Sequence, residues 1–373
     1  MFVLLNFTIF LQYYVETGRF AEYNRNIEFV ERGKNMVGLE KLKSAFWDGK
    51  YKVNYENEKG KSEKKSTQFY FDKDGIGIAI KRALGDFTGR TEKLNPDSGY
   101  KPFGVEEKFK VLCGTDGKEY NEPKDGSFVQ KFIVFFEKPD NKNNATQDAF
   151  DAWHKEMCEE FLAVIGPKYQ SGLKYGKAQK IVNMTFKNAY CLQHNGIKED
   201  KFEKYFEHCH MPLDSIILEW VKRTQAWLCS KDAENNDCKK KKAETLCSTR
   251  IPSWSKMNYE ECPGFLTSDG KPYYGYKDIQ NAIFEYFNKY VEKNTATKHL
   301  KGCTPLQAEF FVWKYMQLEL AAEGVYNQFL SFEDLDNTER KTKKAEYRNK
   351  TINEKIADLQ KKLENIETYK VQE

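Results

Sequence analysis

The sequence lacks a strong net charge, because 60 Lys and Arg residues are nearly balanced by 56 Asp and Glu residues. The formal net charge is +4, so no positive field covers the whole molecule, and a surface that attracts nucleic acid would have to be local. Aromatic residues, in contrast, are abundant, with 27 Phe, 22 Tyr and 6 Trp. The 373 residues can therefore bury a substantial core in one large or two ordinary domains.

Closely spaced cysteine pairs are also lacking. Nine cysteines occur, but none lies two to four residues from another, which is the usual spacing of zinc ligands. An odd number of scattered cysteines favours reduced thiols in a cytoplasmic protein over a disulfide framework. We expect no metal site. The triple His208, Cys209 and His210 is expected to line a loop.

Long apolar runs are missing as well. The N-terminal run "MFVLLNFTIFLQYYV" is shorter than the roughly 20 residues that a membrane span needs, and it has no basic segment or cleavage site of a signal peptide. We therefore expect it to be a core element, and we expect no membrane partner. No P-loop, dinucleotide fingerprint, kinase signature or nucleophile elbow is present, so no cofactor is expected.

Polar and charged segments divide the chain into three predicted parts. The polar run "PDNKNNATQ" (139–147) separates an N-terminal α+β module (1–140) from a helical domain (141–330) that carries an inserted loop (229–275). In the N-terminal module, "FKVLCGTDGKEYNE" and "FVQKFIVFFEK" are predicted to be strands. Residues 331–373 are predicted to form a charged helix. Because this part and the domain 141–330 are both helical, the predicted fold class is mainly α.

The C-terminal segment has a short heptad pattern. Its apolar residues follow a 4-3-4-3 spacing over about two heptads, namely Ile352, Ile356, Leu359, Leu363 and Ile366. Such a helix either packs back on its own domain or pairs with a second copy or another partner.

The stretch "SGLKYGKAQKIVNMTFKNAYC" (171–191) carries four lysines around a glycine-marked turn before an apolar helix. Backbone N–H groups at the start of a helix hold phosphate well, and lysines add charge there. A solvated helix face would explain the same lysines. The residues that we predict to contact DNA are Lys174, Gly176, Lys177, Ala178 and Gln179.

A second motif, "HCHMPLDSIILEWV" (208–221), begins another apolar helix. Pro212 suits the first helical position, and Asp214 would follow in the first turn, where the helix dipole favours a carboxylate. This capping role alone would account for Asp214.

The order of these motifs, with Lys180 on one helix and Asp214 34 residues later, resembles the helix-hairpin-helix superfamily of DNA base-excision glycosylases. The matching segments are "GKAQKIV" and "MPLDSII", and the resemblance covers residues 145–325, closest to the archaeal and bacterial 8-oxoguanine branch. Lys177 and Ala178 depart from the family hairpin, which has an apolar residue followed by a second glycine there. The iron–sulfur cysteine cluster of some family members is absent.

The resemblance implies that Lys180 is a nucleophile and that Asp214 assists it. It also implies a base-binding pocket, for which Phe310, Trp313 and His210 are candidates, although the helix "QAEFFVWKYM" (307–316) could equally supply core residues. The expected function is a DNA glycosylase, with or without AP-lyase activity, acting on an oxidised or modified base. The alternatives are a non-catalytic nucleic-acid-binding or phage-defence-associated protein on the same fold, and an interaction protein that uses the C-terminal helix.

Overall fold

The described part of the chain is mainly helical, as the sequence predicted. The computed structural model describes residues 39–40, 42–47, 52–56, 62–66, 69–87, 104–114, 122–139, 141–169, 172–233, 246–294 and 297–330, with five positions between 338 and 354. The heptad residues lie outside these ranges, so the prediction of a C-terminal pairing helix stays a prediction. Within the described ranges, no helix has both the length and the apolar character to cross a bilayer.

The described part of the chain contains nine named α-helices and two β-hairpins. The helices are α1 (Lys73–Gly85), α2 (Val105–Leu112), α3 (Phe128–Phe135), α4 (Gln147–Ile165), α5 (Tyr175–Tyr190), α6 (Glu199–Lys204), α7 (Ser215–Ala233), α8 (Tyr276–Lys289) and α9 (Pro305–Leu330). Two antiparallel hairpins pair β1 (Lys52–Glu56) with β2 (Ser62–Ser66), and β3 (Cys262–Leu266) with β4 (Pro272–Tyr273).

The chain forms two compact units. The central unit comprises Lys43–Glu285 and Thr304–Glu309, and the terminal unit comprises Met1–Leu42, Tyr286–Cys303 and Phe310–Glu373. The polar run 139–147 lies within the central unit, where the Thr146 hydroxyl accepts a hydrogen bond from Ala149 N and caps α4. The predicted boundary at residue 140 stays a prediction.

The two segments that were predicted as strands contain helices instead, so that prediction was wrong. In α3 the buried residues Phe128, Val129, Phe132 and Phe135 follow the spacing of one helix face. The Ser127 hydroxyl caps this helix by accepting from Gln130 N. A short run rich in aromatic and β-branched residues suits a strand equally well, and burial of its apolar side chains decides for the helix.

Helix α5 lies at the centre of the central unit. Aromatic side chains from α3 and α4 surround its Phe186, with ring centroids 5.2–5.7 Å from Phe135, Phe150 and Trp153. The Asn188 side-chain amide donates to the Ala79 carbonyl of α1 at 3.1 Å. All residues of α5 are buried except one, Lys180.

Candidate active site

The start of α5 is covered by the segment that the sequence placed in an inserted loop. The 3-10 turn Trp254–Lys256 packs here, and Gly176 N–H donates to the Met257 carbonyl at 3.0 Å. A Cβ on Gly176 would overlap the Trp254 carbonyl oxygen, so only glycine allows this close approach. The Gly176 N–H was expected to face phosphate, but it is satisfied within the protein.

Four of the five predicted DNA-contacting residues are buried side by side, with Gly176 as the first of them. Lys177 is 4% exposed, and Ala178 and Gln179 are fully buried. They therefore do not form the exposed surface on which the sequence analysis placed them. The Lys177 ammonium lies 4.8 Å from the centroid of the Trp254 ring. The face of an aromatic ring stabilises a cation that is shielded from water. Lys174, the residue before α5, is exposed.

Lys180 is the partly exposed residue of this otherwise buried helix. Its ammonium lies 4.9 Å from the centroid of the same Trp254 ring, which is itself partly exposed. Lys177 and Lys180 therefore place two cations against one indole. This arrangement concentrates positive charge beside an aromatic surface that solvent reaches.

The Gln179 side chain joins the start of α5 to the start of α7. Its Nε2 donates to the Gly176 carbonyl and to the Leu213 carbonyl, each at 2.9 Å. Its Oε1 accepts from Leu213 N at 3.4 Å. Because Lys180 follows Gln179 and Asp214 follows Leu213, this bridge brings the segments that carry the two predicted catalytic residues together.

Asp214 caps α7. Its Oδ1 accepts from Ile216 N and Ile217 N, each at 2.9 Å. The helix begins at Ser215, so Asp214 is the N-cap and Pro212 lies ahead of the helix rather than at its first position. A carboxylate at this place satisfies orphan N–H groups and interacts favourably with the helix dipole.

The predicted base-pocket residues belong to different units. His210 is 4% exposed and lies in a buried hydrogen-bond network of the central unit. Phe310, which is 3% exposed, and Trp313, which is partly exposed, belong to α9 in the terminal unit.

This network, which we call the polar chain, consists of Asp151, His210, Tyr276, Asn183, His154 and Tyr175. His210 lies between two partners, with Nε2 2.8 Å from Asp151 Oδ1 and Nδ1 2.8 Å from the Tyr276 hydroxyl. The Asn183 amide donates to the Tyr276 hydroxyl at 2.8 Å and to Gln179 Oε1 at 3.0 Å. The polar chain thus ends at the residue that bridges α5 and α7.

Burial sets the protonation of several members of the polar chain. Desolvation lowers the pKa of His154 well below 6.5. Desolvation likewise raises the pKa of the Tyr276 phenol well above its ordinary value. For Asp151, burial opposes ionisation, but the hydrogen bonds from His210 and Gln147, together with the charge of Lys277, outweigh it and lower the pKa.

The sequence analysis missed Trp254 and most of the polar chain. A usable signal was nevertheless present. Gln179 and Asn183 stand four residues apart on α5, and Asp151 and His154 stand three apart on α4, so each pair lies on one helix face among apolar residues. Polar side chains on a buried face need partners, and such pairs therefore indicate a network.

No protein-family model matches this chain, and no curated protein or solved structure is significantly similar to it. The case for a function therefore depends on the residues and their geometry.

Proposed function

We propose that the protein is a DNA base-excision glycosylase with associated lyase activity, built on a helix-hairpin-helix glycosylase-like fold. The observation that carries this proposal is the exposure of Lys180, which alone among the residues of α5 is not buried. A buried helix that presents one amine to solvent suits a nucleophile held on a rigid element better than a solvated lysine face.

The reaction begins when the neutral Lys180 amine attacks C1′ of the target nucleotide. The Nζ–C1′ bond forms, the C1′–N glycosidic bond breaks, and the base leaves with the bonding electrons and takes up a proton. Opening of the sugar ring converts the adduct into a protonated imine. Elimination of the 3′ phosphate and hydrolysis of the imine by water then release the lysine.

Asp214 would serve this chemistry in two ways. Its carboxylate offsets the positive charge that develops on the sugar while the neutral amine attacks, and it then accepts a proton from the Nζ of the resulting adduct. The Gln179 bridge supports this assignment, because it ties the first turn of α5 to Leu213 beside Asp214. Trp254 offers a partly exposed aromatic surface next to the amine, on which a flipped base or sugar could stack.

The DNA backbone would be held by local charge. Lys174 is exposed and precedes α5, while Lys177 contributes its field from behind Trp254 without direct contact. A modified base is proposed as the target because an unpaired or damaged base is the least costly to extrude.

Borohydride trapping tests the proposal. The protein is incubated with a panel of duplexes and single strands that carry modified bases or an abasic site, and borohydride reduces the imine to a stable amine. We expect a covalent adduct that is lost in Lys180→Gln and retained in Lys198→Gln, a control at an exposed lysine that the proposal does not use. An adduct retained in Lys180→Gln would refute the role of this lysine.

A non-catalytic nucleic-acid-binding protein on the same fold is the second candidate. It is favoured by the remodelled hairpin, in which the Gly176 N–H is engaged by Met257 and Ala178 replaces a glycine. Salt-sensitive DNA binding without an adduct on any substrate would support this candidate over the enzyme.

A further inference from the structure

We propose that the polar chain has a single order of protons and that it positions Lys180 and Asp214 by fixing Gln179. The catalytic consequence rests on the proposed function, whereas the proton order follows from the geometry of the central unit alone. Two backbone carbonyls determine the orientation of the Gln179 side-chain amide.

Gln179 can be placed in one way only. The Gly176 and Leu213 carbonyl oxygens accept hydrogen bonds and cannot donate, so the amide nitrogen of Gln179 must face them. Its Oε1 then points to the Asn183 side chain, 3.0 Å away. Since this oxygen only accepts, the Asn183 nitrogen is the donor.

Asn183 carries the order to His154. Its two amide hydrogens go to Gln179 Oε1 and to the Tyr276 hydroxyl. Its Oδ1 therefore faces His154 Nε2 at 2.8 Å, and this ring nitrogen must carry the proton. Because burial keeps His154 neutral, its Nδ1 accepts, and the Tyr175 hydroxyl at 3.3 Å donates to it.

Tyr276 carries the order to the edge of the network. Its oxygen accepts from Asn183, and His154 Nε2 already carries a proton, so the phenolic proton goes to His210 Nδ1 at 2.8 Å. The His210 proton then sits on Nε2 and is donated to Asp151 Oδ1 at 2.8 Å. The Asp151 side chain is 24% exposed. The ordered hydrogen bonds therefore run from a carboxylate that solvent can reach to Gln179, the residue that bridges α5 and α7.

Gln147 does not compete for His210. Its Nε2 lies 3.5 Å from His210 Nε2, but its two hydrogens go to Asp151 Oδ1 at 2.8 Å and to the His208 carbonyl at 3.1 Å. If a side-chain amide or an imidazole ring of the polar chain were rotated by 180°, a buried hydrogen-bond donor would face another donor. Gln179 is therefore held in one position, and the segments of Lys180 and Asp214 are held with it.

The test compares two buried tyrosines of α8. Tyr276→Phe removes the hydroxyl that links Asn183 to His210. Tyr286→Phe, the matched control, removes an equally buried hydroxyl that interacts with Thr297 and Asn294 outside the polar chain. Both variants keep the aromatic ring and hence its packing.

The first readout is independent of activity. The chain has five histidines, and their ring nitrogens can be assigned by NMR of the ¹⁵N-histidine-labelled protein with single His→Gln variants. We expect the Nε2–H tautomer at both His154 and His210, a change at His210 in Tyr276→Phe, and no change in Tyr286→Phe. A proton on His210 Nδ1 in the wild-type protein would refute the order.

The second readout tests positioning. We expect Tyr276→Phe to slow single-turnover adduct formation at Lys180 about ten- to a hundredfold, with the Kd for DNA unchanged, and Tyr286→Phe to leave both unchanged. An unaltered rate in Tyr276→Phe would overturn the positioning role. Absence of an adduct in the wild-type protein would instead overturn the proposed function, and the tautomers would still decide the proton order.

Discussion

Replacing His154 with glutamine should flatten the dependence of stability on pH between pH 7 and pH 5. His154 is fully buried, and desolvation lowers its pKa well below 6.5. In the unfolded chain the same imidazole titrates near 6.5. Below that pH the unfolded state binds a proton that the folded state does not, so stability falls as the pH falls.

The magnitude follows from linkage. For one imidazole that stays neutral in the folded state, lowering the pH from 7 to 5 costs about 2 kcal/mol of unfolding free energy. His299 of the terminal unit acts in the same direction, because burial lowers its pKa to about 4. The difference between the wild-type protein and His154→Gln isolates the contribution of His154, and His299→Gln serves as the control for the other site.

Urea unfolding at pH 7, 6 and 5 measures this difference directly. We expect the gap in unfolding free energy between His154→Gln and the wild-type protein to shift by about 2 kcal/mol in favour of the variant over this range. A gap that stays constant with pH would show that the folded protein protonates His154 as readily as the unfolded chain does, so that its ring becomes cationic below about pH 6.5. In that case its Nδ1 could not accept from Tyr175, and the proton order derived for the polar chain would be wrong at this point.

Two further substitutions test the packing at the helix starts. Gly176→Ala should destabilise the protein by several kcal/mol, because its Cβ would overlap the Trp254 carbonyl, whereas Gly85→Ala, with open space around its Cβ, should be neutral or stabilise α1 by up to about 1 kcal/mol. Urea unfolding compares the two, and equal stabilities would contradict the close approach. Asp214→Asn should keep the cap of α7 and unfold within about 0.5 kcal/mol of the wild-type protein, while Asp214→Ala should lose about 1 kcal/mol. Under the proposed function both variants should lose adduct formation, and full activity in Asp214→Asn would refute the role of its charge.

The helical character of the chain could be predicted from apolar periodicity. The apolar spacing around Phe150 and Trp153 and around Ile181 and Phe186 fits one face of a helix, in agreement with α4 and α5. Periodicity failed at Phe128–Phe135, where six of the eight residues are apolar.

 Because only Gln130 and Lys131 are polar in that segment, the sequence does not distinguish the period of a helix from that of a strand. The packing of its phenylalanines against α4 and α5 determines that the segment is a helix.

The candidate site was predicted only in part. Lys180 and Asp214 could be proposed from the sequence because each lies near the start of an apolar helix within a recognisable motif, and their catalytic role stays a prediction. The burial of Lys177 was not predictable, because the Trp254 ring that covers it comes from a segment 77 residues later. The hydrogen bonds of His210 were not predictable either, because its partners Asp151 and Tyr276 come from distant parts of the sequence, in α4 and α8.

A buried polar chain also has a purely structural explanation, and the position of Lys180 argues against that explanation as the whole account. Networks of this kind fix one packing arrangement at a cost in desolvation, and a protein could retain one for specificity alone. A network with only a structural role, however, does not need a partly exposed residue next to its inner end. Here the network ends at Gln179, and the next residue is the one position of α5 that is not buried. An amine presented from a helix start that the Gln179 bridge holds in place is the arrangement that positioning requires.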